Sequence, residues 1–215
     1  MPEPRLDFQM HRPEGSVDES PVAVLLHGRG SHMGDLQGVV AGLPDDWSVV
    51  TPQAPFHGAD WGYGPGYAWY RYIAEDRVVE ETLTHSLSRI DDFLRDLPEI
   101  MGFTPGPIIL GGFSQGGTMS TAFVLTRPGQ VTAALNFSGF LASGVPLPSG
   151  ETAANGTPIF WGHGLDDPAI PFNLAVRGRA ALSAAGVPLT SADYPIGHYI
   201  VQEELRAAVE MVNGL

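Results

Sequence analysis

Gly112-Phe113-Ser114-Gln115-Gly116 fits the pattern G-x-S-x-G. A serine hydroxyl is a poor nucleophile until a base takes its proton. The pattern follows the apolar run Ile108-Ile109-Leu110 and precedes a helical stretch beginning near Thr118. In that setting a sharp turn projects Oγ from the strand end at the start of the helix. Helix N–H groups there favour developing negative charge. With 27 glycines in the chain, the five residues alone are a weak signal. The strand before them and the helix after them give it weight. The competing reading is a serine that only caps the helix, since Ser is a preferred N-cap.

A serine nucleophile needs an imidazole base and a carboxylate that holds the imidazole tautomer. The histidines after Ser114 are His163 and His198. His198 follows Gly197 in a turn near the C-terminus and is read as the base. His163 ends an apolar strand ahead of the acids and is read as structural, hydrogen-bonded near the acid loop. The acid lies in Leu165-Asp166-Asp167-Pro168, after the strand at Ile159, where sites gather in open α/β sheets. Asp166 and Asp167 are adjacent, and spacing does not choose between them. One faces His198 while the other caps the helix after Pro168. The order serine, acid, histidine is the one that hydrolases built on such sheets follow.

The elements that must position these groups alternate between strand and helix, the mark of a mostly parallel central sheet with helices on both faces. Strands are expected at Val22–Leu26, Trp47–Val50, Ile108–Phe113, Val131–Phe137, Ile159–Trp161 and Leu189–Tyr194. Helices are expected near Asp35–Ala41, over Asp76–Met101, and at Thr118–Leu125, Phe172–Ala185 and Tyr199–Val212. The second of these carries Val79, Leu83, Leu87, Ile90, Leu94 and Leu97 on one face. Thr51 to Tyr72, rich in Gly, Pro and aromatics, is expected to be one long loop. Residues 1–215 are read as a single domain.

Lys and Arg number 11 against 24 Asp and Glu, a net charge of −13. Such a chain repels nucleic acid and anionic membranes. No run approaches the ~18 apolar residues of a membrane span. Met1-Pro2-Glu3-Pro4-Arg5 lacks the basic-then-apolar pattern of a secretory leader, so a cytoplasmic site is expected. Cysteine is absent, which excludes disulfides, thiolate metal sites and a cysteine nucleophile.

Four segments in order resemble the phospholipase/carboxylesterase family of α/β-hydrolases, which includes small bacterial carboxylesterases and acyl-protein thioesterases. They are Leu26-His27-Gly28-Arg29-Gly30, Gly112 to Gly117, His163-Gly164 with Asp167-Pro168 and Pro171, and Gly197-His198. The resemblance implies the α/β-hydrolase fold, with Ser114 as nucleophile, His198 as base and Asp167, rather than Asp166, as acid. It also implies oxyanion donors at the backbone N–H groups of Arg29 and Gln115. It calls for no cofactor and no metal.

The chemistry expected is cleavage of a small-molecule carboxylic ester through an acyl-enzyme. The chain works alone or as a homodimer, with no nucleic-acid partner. A thioesterase acting on acyl-protein or acyl-CoA shares the same triad. A binding protein on a retired hydrolase scaffold is the alternative of a different class. The histidines show no metal-ligand spacing such as H-x-x-x-H. In the aromatic loop, Trp61, Tyr67 and Trp69 are expected to wall the substrate pocket. On that expectation Trp69→Ala raises KM for aryl or medium-chain esters and leaves short-acyl turnover near normal.

Overall fold

The computed structural model describes residues 3–154 and 156–215. Met1 and Pro2, on which the leader reading partly rests, lie outside the described residues. A seven-stranded sheet contains β1 (Phe8–His11), β2 (Val22–Leu26), β3 (Ser48–Pro52), β4 (Ile108–Phe113), β5 (Ala133–Phe137), β6 (Ile159–Gly164) and β7 (Leu189–Tyr194). Their spatial order is β1-β3-β2-β4-β5-β6-β7. β1 runs antiparallel to β3 and the other pairs are parallel.

Alternation along each strand sends side chains to two cores. Val22, Val24 and Leu26 face one layer, and Ala23 and Leu25 the other. The first layer is formed by α1 (Glu80–Arg95), α2 (Gln115–Thr126) and α3 (Phe172–Ala185). The second is formed by α4 (Gln202–Asn213) and a 3-10 segment, Asp35–Gly42. Because both faces are covered, the inner strands are continuous apolar runs. Among the described residues no helix is long and apolar enough to cross a membrane.

The helix expected over Asp76–Met101 is divided. Arg77–Val78 instead pairs with Tyr72–Ala74 in a short hairpin. Helix α1 then ends at Arg95, and a separate short helix, Leu97–Met101, follows. Pro98 in its first turn lacks an N–H, so it cannot continue the ladder of α1. The expected loop from Thr51 to Tyr72 holds a two-strand pairing of Phe56–His57 with Tyr67–Ala68. Strand β1 had no signal: it is an edge strand whose residues are mostly exposed, so no apolar run marks it.

Helix α4 buries a carboxyl. Glu204 is 1 % exposed, and among the described residues neither carboxyl oxygen has a hydrogen-bond partner. It lies against Gly162, where a Cβ would stand 2.0 Å from Glu204 Oε1. Burial pushes the Glu204 carboxyl up from 4.5 to about 8. Between those pH values the folded chain keeps a proton that the unfolded chain has released. Stability therefore falls as pH rises through that window, by up to about 1.4 kcal/mol per unit. Glu204→Gln, which stays neutral, is expected to raise Tm at pH 8 and to leave it little changed at pH 4.5. Thermal unfolding of both proteins at several pH values checks this; parallel Tm curves would refute it.

Candidate active site

Ser114 sits between the end of β4 and the start of α2 with φ 55° and ψ −113°. A non-glycine residue at positive φ is strained and persists only when its surroundings enforce it. Here Ser114 N donates to the Phe137 carbonyl at 2.8 Å, and Thr118 N donates to the Ser114 carbonyl at 3.1 Å. Strand and helix approach so closely that a Cβ at Gly116 would lie 1.9 Å from the Leu26 carbonyl oxygen. One at Gly112 would lie 2.4 Å from the Gly116 carbonyl carbon. Both glycines of the pattern are thus required by packing. Ser114 makes no side-chain cap hydrogen bond, so the helix-cap reading fails.

His198 lies in the turn between β7 and α4. Its Nδ1 is 2.6 Å from Asp167 Oδ2. The other oxygen, Oδ1, accepts the backbone N–H groups of Ala169 and Ile170, each at 2.8 Å. Burial acts to raise the Asp167 carboxyl, but hydrogen bonds from His198, Ile170 and Ala169 outweigh it and hold the group below the usual carboxylate range. An ionised carboxylate only accepts, so Nδ1 of His198 carries a proton, which in the neutral ring leaves Nε2 as the acceptor. The ring packs on Phe113, 4.6 Å between centroids.

The acid and histidine loops are clipped together. Asp166 N donates to the Ile196 carbonyl at 3.0 Å, and Leu165 N to that of Tyr194 at 2.8 Å. Gly164 allows the approach, since a Cβ there would lie 2.3 Å from the Gly197 carbonyl oxygen. The Asp166 side chain is exposed, whereas that of Asp167 is wholly buried. His163 is buried beneath them, with Nε2 2.9 Å from the Ile170 carbonyl oxygen and 3.7 Å from Asp167 Oδ2. Burial pushes its pKa down, so it donates Nε2–H to Ile170 as a neutral ring and braces the acid loop.

Ser114 and His198 open on one cavity of about 190 Å³. Arg29, Tyr70, Tyr72, Gln115, Phe140 and Ile170 supply further wall. Among the described residues no hydrogen bond joins Ser114 Oγ to the imidazole. Contacts of this kind are often long before substrate binds and tighten with it. The Arg29 amide donates to no backbone carbonyl among the described residues. Gln115 opens α2, where the first N–H groups have no partner in the helix. Among the described residues no three metal-binding side chains gather as a site.

Trp61, Tyr67 and Trp69 do not line this cavity, contrary to expectation. Trp61 packs on Phe56 and Tyr63, with centroids 4.8 and 5.9 Å away. Tyr67 stacks on His57 at 4.9 Å, and its backbone pairs with the turn at Gly30-Ser31. Trp69 is fully buried behind the site. Its indole Nε1 donates to the His27 carbonyl at 2.9 Å, its backbone N donates to Gln115 Oε1 at 2.7 Å, and its carbonyl accepts Ser86 Oγ. Trp69 and Tyr70 lie in a bend between two short strands, and it turns Tyr70, with Tyr72, to the cavity while Trp69 braces it from behind. Composition marked the segment but not the direction of each ring.

Trp69→Ala is therefore expected to lower stability by about 3–5 kcal/mol and to reduce kcat/KM alike for short and long acyl esters. Thermal unfolding and an acyl-chain series measure both. A selective KM rise for long chains, with stability kept, would return Trp69 to the pocket.

A twisted, mostly parallel sheet with a serine elbow at a central strand defines the α/β-hydrolase class. Residues 13–214 match the phospholipase/carboxylesterase family, and the chain belongs to it. It is 36 % identical over 107 residues to the probable carboxylesterase SOBER1-like of Arabidopsis thaliana, covering 49 % of this chain and 41 % of that one. It is 32 % identical over 185 residues to acyl-protein thioesterase 1 of Neurospora crassa, covering 76 % of this chain and 71 % of that one. The solved esterase PE8 superposes with a TM-score of 0.78 at 27 % identity, covering 98 % of this chain and 99 % of that chain. The match to the Arabidopsis protein thus spans less than half of that protein's length.

Proposed function

We propose that the chain is a serine carboxylesterase acting on small esters, with Ser114 as nucleophile, His198 as base and Asp167 as acid. The reading rests on one observation: the His198 Nδ1–Asp167 Oδ2 pair at 2.6 Å stands at the cavity that Ser114 also lines. His198 Nε2 takes the hydroxyl proton as Ser114 Oγ bonds to the ester carbonyl carbon. The oxyanion accepts the N–H groups of Arg29 and Gln115, each such donor being worth about 10²–10³ in rate. Collapse breaks the bond to the alkoxide, which leaves with the proton from His198. Water then attacks the acyl-enzyme, gives a proton to His198 and releases the acid, and the proton returns to Ser114.

A cavity of about 190 Å³ suits a small acyl or alcohol part. Thioester cleavage is the second reading, favoured by the Neurospora relative named acyl-protein thioesterase 1. Labelling with a fluorophosphonate tests the nucleophile: wild type takes the label and Ser114→Ala does not. Rates on a matched oxygen ester and thioester decide between the two readings. Labelling that persists in Ser114→Ala overturns the assignment.

A further inference from the structure

Arg29 is an exposed residue lining the cavity that Ser114 and His198 share, and its guanidinium stands beside Tyr72, which lines the same cavity. Its guanidinium lies 4.9 Å from the centre of the Tyr63 ring and 5.6 Å from that of Tyr72. Those rings are themselves tied together, since Tyr72 N donates to the Tyr63 hydroxyl at 2.8 Å. Aromatic faces hold a cation in place without neutralising it.

Of the ten other guanidinium groups of the chain, six meet carboxylates, while Arg12, Arg71, Arg77 and Arg127, which do not line this cavity, meet none among the described residues. Arg5 meets Asp96 and Glu99, Arg95 meets Asp91 and Asp92, and Arg177 meets Glu75 and Asp76. Arg89, Arg179 and Arg206 each have an acidic partner as well. Among the described residues Arg29 pairs with none, in a chain of 24 acids and 11 bases. The neighbouring Gln115 amide is already committed, its Oε1 to Trp69 N and its Nε2 to the Tyr70 carbonyl.

We propose that the site selects esters that also carry a carboxylate, which seats on the Arg29 guanidinium while the ester carbonyl meets Ser114. The inference rests on the esterase reading above. A guanidinium fork matches a carboxylate with two parallel hydrogen bonds. The net charge of −13 opposes an anion at long range. That repulsion is screened beyond about 8 Å in physiological salt, whereas the direct contact with the exposed Arg29 guanidinium is weakened less and only as salt is raised further. Arg29 then serves twice: its backbone N–H meets the oxyanion, and its side chain selects the substrate.

The carboxylate could sit on the acyl or the alcohol side, and two pairs of esters separate these. Monoethyl glutarate against ethyl valerate probes the acyl side. The anion of 3-acetoxybenzoate against its methyl ester probes the alcohol side. Wild type is expected to prefer the charged member of at least one pair by about tenfold in kcat/KM, and added salt shrinks the ratio. Arg29→Gln is expected to abolish the preference, chiefly through KM, and Arg29→Lys to keep part of it. Because the ratio is read, any loss common to both esters cancels. If Arg29→Gln does not fold, the wild-type ratios and Arg29→Lys still decide. Equal rates within both pairs, or a preference that survives Arg29→Gln, overturns the inference. Fluorophosphonate labelling without selectivity sinks this inference alone; inertness to all four esters and to the label sinks the esterase reading and this inference with it.

Discussion

Ser114→Ala is expected to reduce kcat for a simple ester by about 10⁴–10⁶-fold. The hydroxyl is the only atom removed, and it makes no cap hydrogen bond in the folded chain, so Tm should hardly move. The backbone explains why a second variant is informative. At φ 55° the residue sits where a side chain costs about 1–3 kcal/mol. Ser114→Gly removes that cost, less about 0.5–1 kcal/mol for the freer unfolded chain. It should be equally inactive and more stable than wild type. Ester turnover and thermal unfolding of the three proteins give the comparison. A Ser114→Ala protein with near-normal turnover ends the nucleophile assignment, and a destabilised Ser114→Gly shows that the turn is not strained.

The parts of this site that were legible in the sequence are those where local chemistry leaves few choices. The glycines at 112 and 116 read through because the elbow has no space for a Cβ. The inner strands read through because both of their faces are covered, which leaves an unbroken apolar run. His163 read as a structural neighbour of the acid because it ends such a strand, and it does brace that loop through Ile170. Side-chain direction within irregular backbone was not legible. Trp69 and Tyr70 are adjacent and similar, yet the Trp69 indole turns inward to the His27 carbonyl and the Tyr70 ring lines the cavity. Arg29 entered the sequence reading only through its backbone N–H. Its side chain mattered once the loop folded Tyr63 and Tyr72 beneath it. Edge strand β1 and the break at Pro98 are set by tertiary pairing and by one missing N–H, neither of which a periodicity reveals.

The choice between Asp166 and Asp167 shows the same limit, and it leads to the second large effect. Spacing alone could not separate them, and the resemblance favoured Asp167. The loop separates them physically: the Asp166 amide is bound to the Ile196 carbonyl while its side chain points to solvent. Asp167 turns inward, with Oδ1 on two backbone amides and Oδ2 on His198. In Asp167→Asn the carbonyl oxygen can keep the Ala169 and Ile170 amides, which places the NH₂ group opposite His198. That group donates, so the ring must accept at Nδ1 and carry its proton on Nε2. A protonated Nε2 cannot take the Ser114 proton. Activity at neutral pH is expected to fall by about 10⁴-fold, with the fold retained. Asp166→Asn serves as the control and should keep turnover within about twofold of wild type, as surface changes usually do. Nuclear magnetic resonance of the His198 ring nitrogens reads the tautomer independently of rate. A proton still on Nδ1 in an inactive Asp167→Asn protein would detach the loss of activity from the tautomer and assign Asp167 some other part in the site.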